Sequence, residues 1–434
     1  MSTGTTTTAL QSALADAEER FGAANPRSHA AYIDAGRALP GGNTRTSLYY
    51  SPFPLAFASA SAQHLTDLDG HVLTDFLGEY SAGLYGHSHP AIMRAARGAL
   101  DAGIAYGGPN EHEGEFATLL AARFPSVDLL RFVNSGTEAN LMAIATARAV
   151  TGRSHVLVFS GGYHGGVLSF RGASPVNVPF PAVVGTFNDV EGTRALIHRH
   201  RGELAAVIVE PMLGGAGAIP GSTAFLHLLQ EASREVGAVF ILDEVMTSRL
   251  APGGLQEVHG LQPDLTTFGK YLGAGFSFGA FGGSRELMER YDPARPGGLS
   301  HPGTFNNNTL TMAAGAAGLR EVWTPEVAVA HNIAGDRLRE RTNAVFAEAG
   351  VAMQATGIGS IIALHFQSTP ITAVEDVVPA EAQRALLHLE MILHGCYFAR
   401  RGYLALSVAL QPADHDAFLA ALRAVVERHR AILS

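Results

Sequence analysis

Cysteine is nearly absent from this 434-residue sequence, which contains Cys396 alone. One cysteine cannot form an intrachain disulfide, so nothing in the composition indicates an oxidising compartment. The N-terminal threonine run lacks the basic and apolar regions of a secretory signal. No uninterrupted apolar stretch approaches the roughly 20 residues of a membrane span. We therefore expect a cytoplasmic protein that does not cross a membrane.

Basic charge is scarce as well. The 30 lysines and arginines are outnumbered by 39 aspartates and glutamates, which gives a formal net charge of −9, and like charges form no runs. This balance argues against nucleic acid or an anionic membrane as the main partner. Glycine is abundant, with 49 residues, whereas average usage is about 7%. The excess indicates tight turns and close approach of the backbone to a ligand.

Two apolar runs that each end in a charged residue form the central feature. The first, from Val239, ends at Asp243, and the second, from Leu265, ends at Gly269-Lys270. This pattern predicts two buried parallel strands that bring a carboxylate and an amine to the same edge of a sheet. Burying both groups is costly unless something lies between them. A cofactor with a basic ring nitrogen and an aldehyde satisfies both, because the amine can form a Schiff base.

A second feature predicts an anion site. A strand-like run from Leu129 turns through Ser135-Gly136-Thr137 into an alanine-rich helical stretch, 138–150. Glycine lets the backbone approach an anion, the hydroxyls can donate to it, and the helix N-terminus adds free amides. A phosphate suits this turn. An ordinary helix cap made by Ser135 or Thr137 explains the hydroxyls almost as well.

Several polar residues follow predicted strands. In open parallel α/β sheets, ligands bind outside the carboxyl ends of the strands. The residues that fall at such ends are Ser135, Tyr163, Glu210, Asp243 and Lys270. Their coincidence is more specific than any single motif.

Three competing motifs are weaker. Gly275–Gly279 matches the nucleophile elbow of serine hydrolases, but an extended glycine-rich run follows Ser277 where that motif needs a helix. Gly269-Lys270 lacks the glycine and hydroxyl residue of a phosphate-binding loop. His87 and His89 are spaced like a metal pair, but no cluster completes a coordination shell, so we expect no metal and predict that they bond a turn before a helix.

The motifs occur in a specific order along the chain: Asn134-Ser135-Gly136-Thr137-Glu138-Ala139, Tyr163-His164-Gly165, Glu210-Pro211, Leu242-Asp243-Glu244-Val245-Met246-Thr247, Gly269-Lys270 and Gly303-Thr304-Phe305. From about Leu39 onward the chain thereby resembles the class III aminotransferases, which are pyridoxal 5'-phosphate (PLP) enzymes. The resemblance is closest to the glutamate-1-semialdehyde aminomutase branch and the aromatic β-amino acid (β-phenylalanine) aminotransferase branch. The Asn43–Thr46 loop and the Arg401-Gly402 pair favour the second branch.

The resemblance implies an α/β architecture, the PLP-dependent transferase fold type I. A large domain over 69–325 is expected to carry a mostly parallel central sheet. The chain ends, 1–68 and 326–434, are expected to form a small α+β domain, and a change in composition near Pro325 favours this division.

The cofactor roles implied by the resemblance are as follows. Lys270 bonds the cofactor and shuttles a proton, and Asp243 pairs with the ring nitrogen. The other residues expected to bind the cofactor are Ser135, Gly136 and Thr137 at the phosphate, Tyr163 and Val245 on the two ring faces, Glu210, and Thr304 from a neighbouring subunit. The active unit is then a homodimer. One departure is Met212-Leu213, where many relatives have a glutamine that bonds the cofactor's phenolic oxygen.

The expected reaction is a ping-pong transfer of the amino group from an aromatic β-amino acid to a 2-oxo acid, with 2-oxoglutarate as the acceptor. Arg45 and Arg401 are the candidates for carboxylate recognition, and Tyr80 and Phe305 for the apolar side-chain pocket. Two alternatives stay open. One is an aminomutase that needs no acceptor, and the other is a cofactor-binding protein that has lost turnover.

Overall fold

The computed structural model describes residues 3–433, and the chain divides into two compact units. We call residues 89–332 with 371–376 the central unit. Residues 3–88, 333–370 and 377–433 form the terminal unit. Apart from the short segment 371–376, the changes between units thus lie at 88/89 and 332/333, and the predicted division into 1–68, 69–325 and 326–434 stays a prediction. No helix within 3–433 is long and apolar enough to span a bilayer.

A seven-stranded sheet organises the central unit. Numbered along the whole chain, the strands of the unit are β4 (Leu129–Val133), β5 (His155–Phe159), β6 (Ala182–Gly185), β7 (Leu204–Val209), β8 (Met212–Leu213), β9 (Ile219–Pro220), β10 (Val239–Asp243), β11 (Leu265–Gly269) and β12 (Gly279–Gly283). The sheet order is β4-β12-β11-β10-β7-β5-β6, and β8 pairs separately with β9. Only β12 runs against its neighbours, which are β11 and β4. The other six strands therefore end at one edge.

Helices cover this sheet because its strands are buried along their whole length. Every residue of β7, β10 and β11 is buried, as the continuous apolar runs predict. The helices of the unit are α3 (Pro90–Ala102), α4 (Glu111–Arg123), α5 (Gly136–Thr151), α6 (Val190–Arg199), α7 (Thr223–Val236), α8 (Gly254–His259), α9 (Arg285–Met288) and α10 (Thr309–Ala317). The parallel pairing of β10 with β11 confirms the prediction made from their sequence.

The terminal unit contains two small sheets. The first has the order β1 (Phe57–Ser61), β2 (His64–Asp67), β3 (Val72–Asp75), β15 (Cys396–Tyr397), and the second has the order β13 (Gln354–Ile358), β14 (Ile361–His365), β16 (Tyr403–Ala405). Its helices are α1 (Thr3–Ala24), α2 (Pro26–Ala35), α11 (Pro325–Ala349, in this unit from Ile333), α12 (Glu381–Leu393), α13 (Pro412–Arg428) and α14 (Arg430–Leu433). Their apolar faces meet in a core that includes Phe76, Phe398 and Phe418. Cys396 is buried and free.

The two neighbouring histidines, His87 and His89, have separate roles. His89 caps α3 by accepting a hydrogen bond from the Ala91 amide at 3.3 Å, as predicted. His87 instead contacts the Asp75 carboxylate through Nε2 at 3.0 Å. Within residues 3–433, no group of three histidine, cysteine or acidic side chains is arranged to hold a metal ion.

Candidate active site

Asp243 and Lys270 lie at the same edge of neighbouring strands. Asp243 is the last residue of β10 and pairs in register with Thr267 of β11, and Lys270 follows the end of β11 directly. Strands in a sheet lie about 4.8 Å apart, and Asp243 stands opposite Thr267 near the end of β11, so both charged residues lie at the same edge of the sheet. Lys270 is partly buried and has a left-handed φ of 55°, a conformation that a non-glycine residue adopts only where its surroundings impose it.

The Asp243 carboxylate is buried, and both of its oxygens are hydrogen-bonded. Its Oδ2 accepts hydrogen bonds from Asn140 Nδ2 at 2.8 Å and contacts His164 Nδ1 at 2.7 Å. Its Oδ1 accepts from the Val245 amide at 3.0 Å. Thr267 donates to Asn140 Oδ1 at 2.6 Å and thereby fixes which end of the amide faces the carboxylate. These donors fix the orientation of the Asp243 carboxylate.

The Asp243 carboxylate shifts the pKa of His164. Burial lowers the pKa of His164, but the hydrogen bond and the charge of Asp243 outweigh burial, so the pKa of the imidazole is raised. His164 and Asn140 were not predicted as site residues. The available signal was Asn140 itself, an amide within the small apolar face formed by Ala139, Ala143 and Ala147.

Residues 135–137 form the N-terminus of α5. Ser135 caps the helix by accepting from the Glu138 amide at 3.1 Å, so the ordinary cap is present. The first amides of a helix nevertheless have no hydrogen-bond partner within the helix, so they can bind an anion. A side chain at Gly136 would place its Cβ 2.7 Å from Val245 Cγ1, and one at Gly279 would lie 2.2 Å from the Ser135 carbonyl oxygen. Glycine at both positions lets the helix N-terminus pack against the ends of β10 and β12.

Tyr163 and Glu210 follow β5 and β7 and are joined by a hydrogen bond. The Tyr163 amide donates to Glu210 Oε1 at 2.9 Å, and the Gly214 amide donates to Oε2 at 3.2 Å. Burial raises the pKa of Glu210 to about 7, although the charge of His164 lowers it. The Tyr163 side chain remains 44% exposed. Glu210 thus positions the loop of Tyr163 through backbone bonds. Met212-Leu213, which stands where many relatives were expected to have a glutamine, forms the buried strand β8. Its side chains after Glu210 are therefore apolar.

Thr304 and Phe305 are exposed on a loop of the central unit, and 64% of Phe305 is accessible. Asn306 anchors this loop, because its Oδ1 accepts from Asn134 Nδ2 at 3.0 Å beside Ser135. Asn307 also donates to the Gly108 carbonyl oxygen at 3.1 Å. The loop is thus held in place while its tip points to solvent.

The terminal unit contains a cluster of two arginines on one tyrosine. The guanidinium carbons of Arg45 and Arg401 lie 5.5 and 4.9 Å from the centre of the Tyr80 ring. The Tyr80 hydroxyl donates to the Ser47 carbonyl oxygen at 2.6 Å. Arg401 also lies 5.0 Å from the Tyr403 ring, and Glu79 forms an ion pair with Arg45. The structure therefore brings together the predicted residues Arg45, Tyr80 and Arg401 within this unit.

The side chains at the edge of the central sheet fit pyridoxal phosphate. The cofactor carries a phosphate, a pyridine nitrogen and an aldehyde. The N-terminus of α5 suits the phosphate, the buried Asp243 suits a protonated ring nitrogen, and Lys270 supplies an amine at the same edge of the sheet. The mixed sheet and these three groups define a PLP-dependent transferase of fold type I.

Comparison with known proteins identifies the family. The sequence profile described as "Aminotransferase class-III" matches residues 47–399. The beta-phenylalanine transaminase of Variovorax paradoxus is 49% identical over 427 residues, which cover 98% of each chain. The chain belongs to the class III aminotransferases and is a PLP-dependent enzyme that uses an amino donor and a keto acid.

Solved structures agree with this assignment. The beta-phenylalanine aminotransferase from Variovorax paradoxus has a TM-score of 0.96 at 48% identity and covers 98% of this chain and 99% of its own. An omega-transaminase from Sphaerobacter thermophilus has a TM-score of 0.88 at 38% identity, with 93% and 98% covered. A glutamate-1-semialdehyde aminomutase from Pseudomonas aeruginosa has a TM-score of 0.89 at 25% identity, with 96% and 98% covered. The aminomutase branch is thus the more distant of the two predicted branches.

Proposed function

We propose that this enzyme transfers the amino group of an aromatic β-amino acid, β-phenylalanine or a close analogue, to 2-oxoglutarate. The observation that carries the proposal is the pair of arginines on Tyr80. A guanidinium binds a carboxylate with two parallel hydrogen bonds, and both proposed substrates carry carboxylates. The 49% identity to a beta-phenylalanine transaminase supports the aromatic β-amino acid as donor. The single buried cysteine supports a cytoplasmic location, and the acidic net charge supports the absence of nucleic acid among the partners.

The cofactor-binding roles are part of the proposal. Pyridoxal phosphate, when bound, supplies an aldehyde that takes up the amino group and a ring that accepts electrons from the substrate carbon. Ser135, Gly136 and Thr137 hold the phosphate through the α5 amides and hydroxyls. Asp243, which Asn140 and His164 hold in place, would pair with the ring nitrogen. Lys270 holds the aldehyde end and moves the proton at the substrate carbon.

The ring contacts and the dimer complete the proposal. Tyr163 stacks on one face of the cofactor ring, and Val245, which lies against Gly136, packs on the other. Thr304 binds the phosphate of a partner subunit, so the active unit is a homodimer, and Phe305 lines the side-chain pocket. The exposure of Thr304 and Phe305 on an anchored loop supports a role outside their own chain.

A single pair of assays tests the function. Purified enzyme is given β-phenylalanine with 2-oxoglutarate, and glutamate formation is measured. In parallel, glutamate-1-semialdehyde is supplied without an oxo acid. We expect glutamate only in the first assay. Isomerisation in the second assay, with no turnover in the first, would replace the transaminase proposal by an aminomutase.

Arg401→Ala is expected to raise KM for 2-oxoglutarate by about 10- to 100-fold, because a charge-assisted hydrogen-bonded contact contributes about 1.5–3 kcal/mol. The cofactor absorption spectrum should not change, since Arg401 belongs to the terminal unit and none of the residues proposed to bind the cofactor does. Steady-state kinetics with 2-oxoglutarate varied at saturating donor measure the effect.

Arg400→Ala is the matched control for this variant. Arg400 is the adjacent arginine, but its guanidinium faces Glu381 at 3.7 Å. Its loss should leave KM for 2-oxoglutarate unchanged. Equal KM values for the Arg401→Ala variant and the wild type would remove Arg401 from substrate recognition.

A further inference from the structure

Glu79 forms an ion pair with Arg45 on the terminal unit. The carboxylate approaches Nη1 of the guanidinium, and the two side chains are 52% and 43% exposed. Arg45 is one of the two arginines proposed above to receive a substrate carboxylate. A carboxylate of the protein itself therefore already contacts that receptor.

The backbone that carries Glu79 is strained. Glu79, Tyr80 and Ser81 have successive left-handed φ values of 46°, 53° and 77°. Each such non-glycine residue is unfavourable, so three in a row persist only where the surroundings hold them. Gly78 begins the segment, and a Cβ there would lie 2.4 Å from the Ala405 carbonyl oxygen of β16.

The surrounding bonds explain how the strain is maintained. Asp75 Oδ1 accepts from the Leu77 and Gly78 amides at 2.8 and 3.0 Å. The Tyr80 hydroxyl is tied to Ser47 on the Arg45 loop. Asp75 thus holds the start of the left-handed segment, and Ser47 holds Tyr80. In this conformation the side chains of Glu79 and Tyr80 both contact Arg45. Such enforced backbone conformations concentrate at functional sites.

The position of Arg45 is also maintained by contacts that do not involve Glu79. The Arg45 amide donates to Asn43 Oδ1 at 2.8 Å, and Asn43 Nδ2 donates to the Gly41 carbonyl oxygen at 3.1 Å. A short 3-10 turn, Thr46–Leu48, follows directly, and the guanidinium rests on the Tyr80 ring. Removing the Glu79 charge should therefore leave Arg45 in place and weaken the contact that a substrate carboxylate has to displace.

Arg401 differs from Arg45 in this respect. Across residues 3–433, no carboxylate lies within ion-pair distance of Arg401. Its guanidinium contacts the rings of Tyr80 and Tyr403 instead. Arg401 can thus bind an incoming carboxylate directly, whereas Arg45 must first release Glu79.

We propose that Glu79 is a specificity-determining residue that acts through Arg45 by competing with the substrate carboxylate for its guanidinium. This inference rests on the proposed function of Arg45. An exposed ion pair is weak, so a ligand carboxylate can displace it at small cost. A ligand replaces the lost Glu79–Arg45 contact only if it places a carboxylate at Arg45. The negative charge of Glu79 repels that carboxylate and so weakens its binding.

Glu79→Gln tests this inference by the sign of its effect. Glutarate is an unreactive dicarboxylate that resembles 2-oxoglutarate, and its binding to the cofactor-loaded enzyme is measured by titration calorimetry. We expect the variant to bind glutarate about fivefold more tightly, the factor that corresponds to losing an exposed pair. KM for 2-oxoglutarate should fall by the same factor while kcat is unchanged. A residue that merely positions Arg45 would give weaker binding instead.

Glu115→Gln is the matched control, because Glu115 pairs with Arg320 at similar exposures of 42% and 46% on the central unit. It should leave glutarate binding unchanged, and melting temperatures verify that all proteins are folded. Unchanged or weaker glutarate binding in Glu79→Gln would overturn the inference. If the wild type neither binds glutarate nor uses 2-oxoglutarate, the proposed function fails first, and the Glu79 inference fails with it.

Discussion

Lys270→Ala is expected to lower kcat by about 10³- to 10⁴-fold, the upper range for loss of a positioned proton-transfer group. The reason is that Lys270 is the only lysine in the sequence. No second ε-amine can take its place at the end of β11. Initial rates with β-phenylalanine and 2-oxoglutarate measure the loss.

The lone lysine also permits a measurement that does not depend on turnover. After reduction with borohydride, peptide mass spectrometry should find cofactor mass on Lys270 in the wild type and on no internal residue in the variant. Lys270→Arg is the matched control, because it keeps the charge but cannot form the covalent link. Activity in Lys270→Arg, or cofactor mass on another side chain of the wild type, would contradict the role assigned to Lys270.

The strand ends could be predicted because burial on both faces leaves a continuous apolar run in the sequence. β10 and β11 each coincide with such a run, so the residue pattern alone assigns Asp243 and Lys270 to one edge. Asp69-Gly70, a dipeptide typical of hairpin turns, likewise lies between the antiparallel strands β2 and β3. These features depend on residues that are close together in the chain, so they can be read from the sequence.

The partners of Asp243 could not be predicted in the same way. Asn140 lies on α5 and His164 on the loop after β5, 103 and 79 residues from the aspartate. Their meeting depends on how α5 packs across the sheet and on strand order, including the reversed β12. Neither property follows from hydrophobic periodicity.

The cluster of Arg45, Tyr80 and Arg401, which we propose binds substrate, could likewise be predicted only in part. Arg45 and Arg401 were predicted by resemblance, but their unequal environments were not. The left-handed segment at Glu79 and Tyr80 has no sequence signature, because neither residue favours positive φ. The surrounding contacts, from Gly78 against Ala405 to the hydroxyl of Tyr80, impose that conformation. The geometry of this cluster therefore depends on tertiary contacts to a greater extent than the placement of Asp243 and Lys270 does.

Asp243→Asn should show how far the buried carboxylate network controls the chemistry. The change keeps the size of the side chain but removes the charge that faces His164 and Asn140. Without that charge, burial should lower the pKa of His164 below its ordinary value, which reverses the shift in the wild type. In the role proposed for Asp243, a neutral side chain would no longer favour a protonated ring nitrogen of the cofactor. We expect kcat to fall by about 10²- to 10³-fold, as when another preorganised electrostatic contact is removed.

The matched control for this variant is Asp264→Asn, at the opposite end of the same two strands. Asp264 accepts from the Phe240 amide at 2.8 Å, a bond that an asparagine oxygen can also accept. Its loss of charge should therefore leave kcat and the cofactor spectrum unchanged. Asp243→Asn should alter the visible absorption of the bound cofactor as well as kcat, because the charge next to the ring changes. Wild-type kcat and an unaltered spectrum in Asp243→Asn would show that the carboxylate at the end of β10 stabilises the fold and does not act on the cofactor.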